Sequence, residues 1–185
     1  NGPNTLTMIM LGSIAVYVLL LVIFRNKLNE NVYPWALWMI SLALLLMYSM
    51  RGWQFIGSDI TTEYKFLKII EENKVWSIYN FRHAYNTCLS ITLLPAIIGA
   101  FSNIEGISIF RLIFQLLFSP IIIIIYIYLR KYISPITSFI SGTFFVSQIS
   151  FIVDMPSHAM QEISLFFNAI LISLILKNKF DKKDK

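Results

Sequence analysis

The sequence predicts an all-α, polytopic membrane protein: about five transmembrane helices, an extracytoplasmic amphipathic helix, and a re-entrant or interfacial helix. Three observations predict it. The 185 residues are 57% hydrophobic and 14% charged, with mean hydropathy +0.68, whereas soluble domains are about 45–50% apolar and about 25% charged. Five apolar runs approach the roughly 20 residues needed to cross a bilayer core. The charges gather at the ends of those runs.

The first run, residues 6–24, lacks the basic n-region and small-residue cleavage site of a signal peptide, and is read as a true span. The second, residues 33–50, is entered through Tyr33-Pro34-Trp35, with Pro34 tolerated in a first helical turn. The third covers about 107–129 and contains Pro120, a candidate kink. The fourth and fifth cover about 135–153 and 161–176. A shorter run, 89–101, holds Pro95 and Gly99 and reads as the re-entrant or interfacial helix. The chain reads as a single transmembrane module over 1–185, expected to be the N-terminal fragment of a larger protein. Cys88 is alone, which excludes an internal disulfide and a cysteine-based metal site; it reads as a small apolar filler.

Net charge is +5. In this chain it reports orientation rather than nucleic-acid binding. Nine basic residues (Arg25, Lys27, Arg130, Lys131, Lys177, Lys179, Lys182, Lys183 and Lys185) fall on one face of a five-span arrangement. The other face collects seven acids: Asp59, Glu63, Glu71, Glu72, Glu105, Asp154 and Glu162. The basic face should be cytoplasmic. That sets the N-terminus and the segment 51–106 outside, and the C-terminus in the cytoplasm, in a plasma-membrane protein.

Within the outer segment, Ile60, Tyr64, Leu67 and Ile70 follow helical spacing, widened by Phe66 and Ile69. This predicts an amphipathic helix over about 60–73 lying in the interface plane. Asp59 stands where an N-cap belongs, and Glu63 in the first turn, where the helix dipole favours an acid. The same spacing puts both carboxylates on one face. There they could hold a divalent ion, or one could serve as a general base toward a hydroxyl. Asp154, His158 and Glu162 form a second polar series on the same side, spaced four apart. Between the two lie Arg82 and His83, suited to an anionic lipid phosphate or to snorkelling at the interface.

Two spans, then "GSDITTEY", a helix ending in "NKVWSIYN", then "YNTCLSITLLPAIIG", a span ending in "LRKY" and "FFVSQISFIVDMPSHAMQEISLFF" make up the order of the chain. This order resembles the N-terminal part of a family of large multi-pass membrane proteins in the glycosyltransferase C superfamily. The resemblance covers about residues 47–176. It implies a membrane glycosyltransferase, inverting, that moves a sugar from a polyprenyl-phosphate donor to a glycan or protein acceptor on the extracytoplasmic face. It implies Asp59 as the acid that deprotonates or orients the acceptor hydroxyl, assisted by Glu63 and Glu162. Substrate contacts would come from Arg82, His83, His158 and Gln161. Some members use a divalent metal and others do not; Mg or Mn held by Asp59, Glu63 and Asp154 therefore stays open. The chain departs from relatives in having His158-Ala159-Met160-Gln161 without an arginine before Gln161. A second reading is a non-enzymatic membrane subunit, or a component of a lipid-linked-oligosaccharide transporter, with the outer helix as a docking surface.

Overall fold

The computed structural model describes residues 4–52, 54–79 and 82–181, with side chains as far as residue 175. Among them every regular element is helical: α1 Thr5–Ile23, α2 Val32–Ser49, α3 Ser58–Asn73, α4 Ala84–Thr87 and α5 Leu93–Ser102. The chain continues through α6 Gly106–Leu129, α7 Pro135–Val146, α8 Ser150–Ser157 and α9 Ala159–Asp181. Three of these, α1, α2 and α6, are long and apolar enough to cross a membrane. The predicted spans 6–24, 33–50 and 107–129 coincide with them to within a residue or two.

The fourth predicted run, 135–153, is not one straight helix. It breaks after Val146, and α7 and α8 meet at a bend of 59°. The cause is local. Ser147 Oγ and Gln148 Nε2 both donate to the Phe144 carbonyl, at 2.8 and 3.1 Å. Side chains thereby compete for a carbonyl that the helix ladder would use. As one bent span, the pair brings the number to four, while the apolar part of α9, Ala159–Ile175, is shorter than the length used for the others.

The main core forms where α2 packs between α6 and α7. Leu37, Ile40, Leu44, Leu45, Phe118, Ile122, Phe139 and Val146 are all buried there. Ser41 and Ser119, buried in this core, are paired across helices, which lowers the cost of burying a polar group. Trp38 Nε1 donates to Ser119 Oγ at 2.9 Å, and Ser41 Oγ to the Ser119 carbonyl at 3.2 Å. Arg111, within the third predicted span, donates through Nε to the Ser49 carbonyl at 2.9 Å, at the last turn of α2. There the guanidinium answers the free carbonyls and negative pole of a helix end. Glu30 pairs with Arg130, tying the 24–31 turn to the far end of α6.

Gly142 sets the α2–α7 distance. A Cβ there would stand 2.9 Å from Leu37 Cδ1 and 3.1 Å from Cδ2. Gly142→Val should lower stability by roughly 1–3 kcal/mol, the usual cost of overpacking; the thermal midpoint in detergent, against wild type, measures it.

A second core sits at the end of the bundle where α2 finishes and α6 begins. It joins Ile60 and Leu67 of α3 with Ile109, Phe110 and Phe114 of α6, Ile91, and Ala159 and Ile163 of α9. The predicted amphipathic helix is present almost as expected, starting two residues earlier. Its apolar stripe does not rest on an interface alone: it packs on α5, α6 and α8. Lys74 (φ 54°) ends α3 in the left-handed conformation that closes many helices.

Candidate functional site

The site forms where α3 meets the joint between α8 and α9. The chain bends at His158 (φ −139°, ψ 78°), and α9 begins one residue later. A new helix has four amides without a partner in their own ladder. Here all four are accounted for. The His158 amide donates to the Met155 carbonyl and the Gln161 amide to the His158 carbonyl, both at 3.0 Å. The amides of Ala159 and Met160 donate to the Glu63 carboxylate at 3.0 and 3.4 Å. Glu63 of α3 is thus the cap of α9, 96 positions away in sequence. Only 1% of its surface is exposed.

Asp59 does not cap its own helix. Gly57 occupies the N-cap position of α3, and no side chain closes it. Asp59 Oδ2 instead lies 2.8 Å from His158 Nε2. His158 Nδ1 lies 2.8 Å from the Asp154 carbonyl. A carbonyl only accepts, so Nδ1 carries a hydrogen; a carboxylate also accepts, so Nε2 is best matched when it carries one too. The geometry suits an imidazolium. The Asp154 carbonyl first, then the Asp59 carboxylate, push the His158 pKa above its ordinary value against the opposing effect of burial.

Burial pushes Glu63 up to about 7, against the amides of Met160 and Ala159, which lower it. The sign of the pH effect follows. A folded state that binds this proton more tightly than the unfolded chain is favoured by it below the ordinary value of 4.5. That contribution is lost as pH rises through about 7. His158 acts in the same direction, its contribution lost as pH rises through its raised value. The thermal midpoint should therefore fall between pH 5 and pH 7.5, and the fall should be smaller in Glu63→Gln; thermal scans across that range decide it.

Four of the residues singled out in the sequence converge: Asp59, Glu63, His158 and Glu162. Glu162 is fully buried one turn into α9, where Gln115 Nε2 of α6 donates to its Oε2 at 3.1 Å. Arg82 and His83 border an open depression of about 560 Å³ with Ile78, Tyr79, Ala84 and Thr87. The His83 ring lies 5.2 Å from both the Phe66 and Tyr85 rings, and Nδ1 accepts from the Tyr85 amide. Asp154 and Gln161 are exposed, and Asp154 contributes its carbonyl rather than its carboxylate.

Two further residues belong to the site without any signal in the sequence. Gln115 looks like an isolated polar residue in an apolar run. Tyr85 looks like an interfacial aromatic, yet burial and then the charges of Asp59 and Glu63 push its phenol up. Cys88 is half-buried against Met160, its Sγ 3.2 Å from Sδ, in keeping with a filler role.

The set Asp59, Glu63 and Asp154 does not fit a divalent cation. Glu63 is spent on the α9 amides and Asp59 on His158. Among the described residues no group of three or more His, Cys, Asp or Glu side chains could hold a metal ion.

Fold and site define a class: an all-helical protein with helices long and apolar enough to cross a membrane, and a carboxylate–imidazole junction between α3 and the α8–α9 joint. The chain matches no protein-family model, no curated protein and no solved structure.

Proposed function

We propose that this chain is part of a membrane glycosyltransferase that moves a sugar from a polyprenyl-phosphate donor to a glycan or protein acceptor on the extracytoplasmic face of the plasma membrane. In this reading α7–α8 and α9 cross as the fourth and fifth spans. The N-terminus and the segment 51–106 lie outside, and the basic loops and C-terminus lie in the cytoplasm. The observation that carries the reading is the Asp59–His158 pair. Two polar series nearly a hundred residues apart in sequence, each at the end of an apolar run, meet at 2.8 Å.

The chemistry asked of the site is a single displacement at the anomeric carbon. The acceptor hydroxyl passes its proton to Asp59 as its oxygen bonds to that carbon. The carbon–phosphate oxygen bond breaks on the opposite side, its electron pair leaves with the polyprenyl phosphate, and the configuration inverts. The His158 ring holds the Asp59 carboxylate in place until the hydroxyl arrives. The reading assigns contact with the departing phosphate to Arg82 and His83, which border one depression with exposed Ile78 and Tyr79. Glu63 acts at a distance from the reacting atoms, by fixing the first turn of α9 and hence His158. Glu162 and Gln161 border the same turn.

The test is sugar transfer by membranes containing the full-length protein, supplied with labelled polyprenyl-phosphate sugars and compared with Asp59→Asn at matched expression. Transfer that requires Asp59 supports the reading. Transfer that ignores the substitution removes Asp59 from the chemistry. No transfer across the donors and acceptors tried favours the non-enzymatic subunit.

A further inference from the structure

Under α3 lies a polar pair that packing alone does not explain. Gln115 of α6 and Glu162 of α9 are both fully buried. Each keeps one oxygen, Gln115 Oε1 and Glu162 Oε1, without a hydrogen-bond partner. Half-satisfied buried networks are costly, and an apolar pair of the same shape would hold the two helices together at least as well. Beside them α6 widens into a π turn at Ile109–Ile113, and Gln115 Nε2 also approaches the Phe110 carbonyl at 3.4 Å. Single π turns inside α-helices occur frequently at functional sites.

We propose that α3 is a hinged lid over a polar binding site formed by Gln115 and Glu162, and that the site takes a ligand rich in hydroxyl groups, such as the hydroxyl face of a sugar. The ligand class follows from the chemistry of the two free positions: the Gln115 amide oxygen accepts, and a carboxyl oxygen donates or accepts according to its proton, so a hydroxyl, which does both, satisfies either. That class deepens the glycosyl-transfer reading and rests on it; the lid itself does not.

The cover is built to move. Its buried apolar side chains are Ile60, Phe66, Leu67 and Ile70; Ile60 and Leu67 join the core of Phe110, Phe114, Ala159 and Ile163. At its N-terminal end it is fastened by polar contacts that water can replace: Glu63 on the amides of Ala159 and Met160, and Asp59 on His158. Gly57 stands directly before it at φ 129°, a conformation that L side chains rarely adopt. Glycine there permits the backbone rotation that a hinge requires. Such a segment can open locally at a fraction of the global unfolding free energy.

Ala159 reports the opening, since it is fully buried directly beneath Glu63. The experiment places Ala159→Cys in a Cys88→Ser background of the full-length protein in detergent micelles. The rate of modification by a water-soluble maleimide is followed at increasing, sub-denaturing urea. A lid predicts labelling that depends only weakly on urea and rises at least about tenfold when Glu63→Gln is added. Labelling with the steep urea dependence of global unfolding overturns the lid, and the parent protein alone can give that result if the Glu63→Gln variant fails to fold. Equal labelling with and without Glu63→Gln in folded protein also overturns it. Ligand class is read separately: addition of the sugar phosphate should slow labelling. A lid that opens without such protection leaves the hinge standing and overturns the sugar-hydroxyl assignment.

Discussion

Asp59→Asn should lower sugar transfer by about 10²–10⁴-fold, the range that general acid–base groups supply. Asparagine has the shape of aspartate and can still accept a hydrogen bond from His158 Nε2, which lies 2.8 Å from Asp59 Oδ2. What it cannot do is take a proton from an acceptor hydroxyl. The fold should tolerate the change, because the Asp59 side chain is 41% exposed and caps no helix. A partly exposed ion pair contributes at most about 1 kcal/mol. Transfer at matched expression, with the thermal midpoint beside it, separates the two effects. Large loss of transfer with a nearly unchanged midpoint makes Asp59 a catalytic residue. Full transfer in the variant removes that role.

Gly57→Val should cost roughly 2–6 kcal/mol, among the larger effects a single substitution produces here. Two causes add. Gly57 holds φ 129° and ψ 143°, a region confined almost entirely to glycine, where another residue costs about 1–3 kcal/mol. A Cβ there would also stand 3.3 Å from Ser157 Cβ, and the branched side chain would press further into the α8–α9 joint, at about 1–3 kcal/mol for overpacking. Relief would require the start of α3 to move away from Ser157, which carries Asp59 away from His158. Thermal unfolding in detergent measures the loss. A midpoint equal to that of wild type would mean that the entry to α3 is not held in this conformation.

These two residues also mark how much of the site was legible before any coordinates. Asp59 stood out because an acid directly after an apolar run, with a second acid one turn on, is unusual in so apolar a chain. The expectation that it caps α3 was wrong, because Gly57 occupies the cap position and the carboxylate turns to a partner 99 positions away. Glu63 was visible as an acid in a first turn. That it would cap a different helix was not, since trans capping depends on where α9 begins. Gln115 and Tyr85 carried no signal at all.

The sequence alone determined the apolar runs, the length of α1, α2 and α6, the amphipathic α3 and the grouping of acids against bases. These are local properties: hydropathy over some twenty residues, helical periodicity and the charges that flank a span act within a segment and need no partner. Tertiary structure decided the bend between α7 and α8, the docking of α3 on α6 and α9, and the convergence of Asp59, Glu63, His158 and Glu162. Each of these depends on contacts between residues far apart in the chain, where the unpaired amides of one helix, the buried face of another and a histidine between them select one another only once the helices have packed.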